Sequence, residues 1–159
     1  MDLRTSLPAL LPKIIAWAQL VAADVAVRGI PLTAQGLTDA IAVGVRHPDR
    51  VRLLLVDRIP RPLDAELQAA ALHTGLLGAS TLGLTLGHAI LIRQGHLTRR
   101  LLSHECRHVQ QYEQFSTIGA FLAEYLGGIF ETGYHDSPFE RDARAHEISD
   151  KPPAHPYGV

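Results

Sequence analysis

The segment Gly87-His88-Ala89-Ile90-Leu91-Ile92-Arg93-Gln94-Gly95-His96-Leu97-Thr98-Arg99-Arg100-Leu101-Leu102-Ser103-His104-Glu105-Cys106-Arg107-His108 carries the information that orders the rest of the chain. Its apolar first part reads as a short strand paired in a hairpin with residues from Thr81 onward, and Gln94-Gly95 turns the chain. Thr98 then caps a helix running from Arg99 to about Phe115. Within that helix His104 and His108 stand four residues apart, so they project from one face as neighbours. Two imidazoles so placed can reach one cation at about 2.0–2.1 Å per Zn–N bond, with Glu105 beside the open coordination position. Zinc acidifies a bound water and polarises a carbonyl; the adjacent carboxylate can take the water's proton and deliver it to a leaving amine.

On either side of this segment the chain alternates helix and strand signals. The apolar stretch from Leu7 to Val27 reads as an amphipathic helix whose stripe Ile14, Trp17, Val21, Val25 faces the core. Pro8, Pro12, Lys13, Gln19 and Asp24 interrupt it short of an uncharged membrane span, so membrane association is not expected. Arg4 ahead of an apolar run, with Val21-Ala22-Ala23 as a cleavable site, is a weaker signal-peptide reading; the expected location is cytoplasmic. Thr33 caps a second helix reaching roughly Val45, Val51–Val56 is a strand, and Asp64 caps a third helix that ends at the glycines 75 and 78. A helix follows from Thr117 to about Phe130, and the last begins near Pro138. The expectation is an α+β fold, mainly helical, with a small mixed or antiparallel sheet. Residues 1–150 form one domain, and 151–159 form a proline-rich flexible tail.

Composition narrows the partners. In 159 residues, 15 basic and 16 acidic side chains leave a formal charge of −1, which provides no field for a nucleic acid. Small molecules, peptides or proteins fit better as partners. A single cysteine excludes an internal disulfide framework. That cysteine, Cys106, lies about 200° around the helix from His104 and points away from any bound metal.

A catalytic zinc takes three protein ligands and keeps one position for water, so a third ligand must lie elsewhere. Glu140, at the start of the last helix, is the preferred candidate; His135, Asp142, His146 and Glu147 compete. Glu140 also fits a capping box, Ser137-x-x-Glu140 with Pro138 at the first helical position. Tyr134 and His135 are candidate donors to a developing oxyanion, whereas Tyr112 reads as packing.

His-Glu-x-x-His followed some thirty residues later by a helical glutamate resembles the zincin metallopeptidases, in particular the gluzincin branch, over roughly Gly83 to Glu147. The resemblance implies one zinc held by His104, His108 and Glu140, with Glu105 as general base in peptide-bond hydrolysis. It also implies that the strand before the motif helix, Gly87 to Arg93, is a sheet edge that binds extended peptide. Gluzincins often carry an acidic residue four positions after the ligand glutamate to orient a histidine; here that position is Arg144, and Asp142 is the nearest substitute. The alternative is a zincin-like domain that binds zinc or a protein partner without turnover.

Overall fold

The apolar run Ala89–Arg93 forms β3, the middle strand of a three-stranded mixed sheet. β1 (Arg52–Val56) pairs with it in parallel, Leu53 opposite Ile90, and β2 (Gly83–Leu86) pairs antiparallel, Gly83 opposite Ile92. The β2–β3 turn is Gly87-His88, where Gly87 adopts φ +67°, a left-handed conformation that costs a residue without Cβ little. Ala89, Ile90, Leu91 and Ile92 are all buried, alternating between two apolar layers. A strand buried on both faces reads as an unbroken apolar run. The expectation of an edge strand at 87–93 is therefore corrected: the edge next to the motif helix is β2, and β3 is covered on both sides.

The computed structural model describes residues 2–149, and the expected tail 151–159 lies outside the described residues. Among the described residues, six α-helices accompany the sheet: α1 (Leu3–Arg28), α2 (Ala34–Ala42), α3 (Ala65–Thr74), α4 (Arg99–Glu113), α5 (Ile118–Thr132) and α6 (Pro138–Ala145). The architecture is α+β, as its sequence pattern suggests. Thr33, Asp64, Thr98 and Thr117 each accept a backbone N–H in the first turn of their helices, satisfying donors that a helix start otherwise leaves unpaired.

α1 lies across one face of the sheet. Val25 and Ala18 are fully buried, with Ile14, Trp17 and Val21 packed around them, so the expected stripe is the buried face. Pro8 and Pro12 do not interrupt this helix. By length and composition, its Arg4–Arg28 portion is long and apolar enough to cross a membrane, contrary to the reading of the prolines and charges as breaks. α2 and α4 cover the opposite face, where Ala40, Val43, Cys106 and Val109 close over Val51, Ile90 and Ile92.

The end of α4 is fastened to the loop after α2 by Glu113. Its carboxylate, on a side chain 4% exposed, accepts the N–H of Arg46 at 2.8 Å and of His47 at 3.0 Å and lies 3.1 Å from His88 Nε2. Burial alone would raise its pKa, but the Arg46 N–H, His88 and the His47 N–H hold it below the usual 4.5. A lowered carboxylate pKa contributes stability that is present above the unfolded value and fades as pH falls through the folded one. Glu113→Gln is expected to cost about 1–3 kcal/mol near neutrality. The difference from wild type should shrink below pH 4.5, measured by urea unfolding across pH.

Candidate metal centre

α4 and α6 bring three donors together. His104 and His108 leave one face of α4 a turn apart, and Glu140 comes from the first turn of α6, packed across α4. His104 Nε2 lies 3.2 Å from Glu140 Oε2, His108 Nε2 lies 3.1 Å from Glu140 Oε1, and the two Nε2 atoms lie 3.2 Å apart. Donors on a tetrahedral cation at about 2.05 Å stand about 3.3 Å from one another. The triangle has the size a metal needs. Glu140 is 3% exposed and His108 7%, which keeps competing water from most of the site.

The outer ring nitrogens determine where the imidazole lone pairs point. Gln111 donates from Nε2 to Phe139 O at 2.9 Å and to Asp142 Oδ2 at 2.8 Å, so its oxygen faces His108 and accepts Nδ1–H at 2.7 Å. Arg107 holds Asp142 in place through Nε at 2.8 Å and donates to Val43 O. His104 Nδ1 donates to Glu147 Oε1 at 3.0 Å, and Arg100 Nε donates to the same carboxylate at 2.6 Å. With both Nδ1 atoms used as donors, each neutral ring turns an Nε2 lone pair inward. Those lone pairs meet a carboxylate, and three acceptors in contact require protons or a cation between them. Burial alone would lower the pKa of His104, yet the hydrogen bond to Glu140 and the charges of Glu105 and Glu140 push it up to about 9. Burial would likewise raise that of Glu140, but hydrogen bonds from His104 and His108 hold it far below the usual carboxylate range.

Ser137 makes no side-chain cap bond; its Oγ donates to Tyr134 O at 3.0 Å. The expected capping box is thus not formed, and Glu140 turns inward to the histidines. The rival ligands are placed elsewhere: His135 is on the surface against Asp136, Asp142 serves Arg107 and Gln111, and His146 Nδ1 donates to Asp142 O. Glu147 reaches the outer nitrogen of His104 and does the orienting work that position 144 does not. Arg144 instead donates to His135 O. Glu147 follows α6 in an irregular segment docked by Ile148 N donating to Ser103 Oγ at 2.8 Å, a placement that helical periodicity does not reveal.

Glu105 Oε2 accepts from Thr85 Oγ1 of β2 at 2.7 Å, and its side chain, 4% exposed, lines a cleft of about 70 Å³ with His108, Glu140, Tyr125 and Tyr134. Tyr125, which sequence reasoning did not single out, donates to Glu140 Oε1 at 2.7 Å. Burial and the charges of Glu140 and Glu105 raise the Tyr134 pKa, so its hydroxyl keeps its proton. His135, the other oxyanion candidate, lies outside the cleft. Cys106 and Tyr112 pack as expected: Cys106 is fully buried, its thiol pKa pushed up to about 12 by burial, and the Tyr112 ring lies 4.0 Å from that of Phe121.

No family model, curated protein or solved structure matches this chain. The site is therefore read from its own chemistry: a His/His/Glu group, with His108 and Glu140 buried and His104 partly so, that could hold a metal ion. Removing the carboxylate behind His104, Glu147→Ala, is expected to weaken metal affinity about 10–100-fold without unfolding the chain, because such outer partners orient the ligand and raise its basicity. Competition with a chromogenic chelator measures this.

Proposed function

We propose that the chain is a zinc-dependent metallopeptidase of small gluzincin type, hydrolysing peptide or protein substrates with Glu105 as general base. The observation that carries this reading is the lone-pair triangle of His104, His108 and Glu140 beside the buried carboxylate of Glu105. Two imidazoles and one carboxylate at tetrahedral spacing are a donor set suited to zinc. Bound there, zinc would supply a Lewis acid that polarises the peptide carbonyl and makes water acidic near neutral pH.

The remaining work belongs to the chain. Glu105, oriented by Thr85, takes a proton from the attacking water and returns it to the departing amine. Tyr134, with its proton retained, donates to the oxygen that becomes negative as the carbonyl is attacked. β2 presents a sheet edge along which an extended peptide can lie with its backbone paired. Tyr125 holds Glu140 in register with the histidines.

Metal analysis of the purified protein, followed by hydrolysis of an unfolded protein, tests the proposal. Stoichiometric zinc with turnover supports it. Zinc without turnover supports a zincin-like binding domain, and absence of bound metal after zinc loading overturns both.

Gly83 gives a more selective test. A Cβ built at Gly83 would stand 2.5 Å from Glu105 Oε1, so Gly83→Ala must push the carboxylate aside. The obstacle is the end of a flexible side chain, and the fold should tolerate it. Metal content is expected to stay the same, while turnover falls on the order of 100-fold, the cost of moving a catalytic group by about 1 Å.

A further inference from the structure

Next to the metal cleft lies a second cavity of different character. It has a volume of about 110 Å³, and its surface is apolar almost throughout. Ile14 and Trp17 of α1, Ala70 of α3, Leu84 of β2 and Leu126 of α5 form its walls. Leu84, Leu86, Leu122 and Tyr125 line both this cavity and the metal cleft, so the two adjoin across a common wall. Tyr125 marks the boundary: its hydroxyl donates to Glu140 while its ring borders the apolar chamber. Much of the chamber comes from α1 and α3, outside the stretch that resembles zincins.

We propose that the chamber is the specificity pocket of the site and takes one large apolar side chain, of leucine or phenylalanine size, from a residue next to the bond being cleaved. An engineered apolar cavity of about 150 Å³ stays dry and admits benzene, so a volume of this order suits a branched aliphatic or phenyl group. The two hydroxyls in its wall are already engaged, Thr74 Oγ1 donating to Ala70 O and Tyr125 to Glu140, and burying a carboxylate, an ammonium or an amide unpaired is costly. Charged and amide side chains are therefore excluded. The substrate part of this inference rests on the proposed peptidase reading; occupancy of the chamber does not.

The experiment separates the two. Trp17 is the only tryptophan of the chain and lines the chamber, so its fluorescence reports an occupant without any turnover. Toluene titrated into the metal-free protein is expected to change that fluorescence saturably in wild type and not in A70F, which fills the chamber. A71L, adding less volume on the same helix, serves if circular dichroism shows A70F unfolded. A response that does not saturate, or that is the same in a folded filling variant, overturns the chamber as a binding site. With the zinc-loaded protein, quenched peptides carrying Leu or Phe beside the scissile bond should be cleaved at least about tenfold faster in kcat/KM than those carrying Ala, since each methylene in an apolar pocket is worth about that much. The filling variant should lose that preference, its kcat/KM for the Leu and Phe peptides falling to that for the Ala peptide. Cleavage without discrimination overturns the specificity assignment. Saturable toluene binding with no peptide cleaved refutes the peptidase reading and leaves the chamber standing as an apolar-ligand site.

Discussion

Glu105→Gln is expected to lower kcat/KM on an unfolded protein by on the order of 10²–10⁴-fold, the range that a positioned general base contributes, while the metal stays bound. The separation follows from position. Glu105 lies outside the triangle formed by His104, His108 and Glu140, and its carboxylate is held from β2 by Thr85. Glutamine has the same shape, can still accept the Thr85 hydroxyl and can fill the same space between α4 and β2. It cannot take a proton from water. Zinc content by mass spectrometry and turnover, measured on the same preparation, check the result. Undiminished turnover would remove Glu105 from the chemistry. Loss of metal in Glu105→Gln would make the residue a support of the site and leave the base unassigned.

Much of this site is visible in the sequence because its parts are local. His104 and His108 are four apart on one helix, and Thr98 caps that helix, so periodicity and capping place both imidazoles on one face before any tertiary contact is known. Cys106 follows from the same arithmetic. Glu140 is legible by type and distance only, since a capping box uses the same residues; what decides it is the packing of α6 across α4, a tertiary fact. The supports are harder still. Gln111 and Asp142 stand far apart in sequence and act together on His108, and Glu147 depends on how the segment after α6 docks on Ser103. Tyr125 sits in an apolar helix where aromatic residues normally signal core. The sheet order is legible only in part: a hairpin predicts β2 beside β3, as found, but the parallel pairing of β1 with β3, which makes β3 the middle strand, spans α3 and β2 and has no local signature. The unbroken run Ala89-Ile90-Leu91-Ile92 was the available clue to a strand covered on both faces.

Glu140→Gln should abolish stoichiometric metal binding, with affinity falling by more than the roughly 10–100-fold typical of an outer partner. Glutamine can still serve a helix start, so a role limited to capping would leave the affinity unchanged; the structure shows no such cap, and the carboxylate instead faces both Nε2 atoms. The variant loses the negative charge that balances the cation but keeps the volume, so the helices should still pack. Thermal unfolding gives an independent readout, because a ligand that binds only the native state raises stability with its concentration. Zinc should raise the midpoint of wild type and not that of Glu140→Gln. Protons compete for the same lone pairs. With the His104 pKa pushed up to about 9 in the metal-free protein, this ring is charged near neutrality and must release its proton when metal enters. Apparent affinity should then rise about tenfold per pH unit for each proton displaced, and level off once the ring is already neutral. A wild-type affinity independent of pH between 7 and the His104 value of about 9 would mean that the metal does not displace this proton, and would place it elsewhere than on His104.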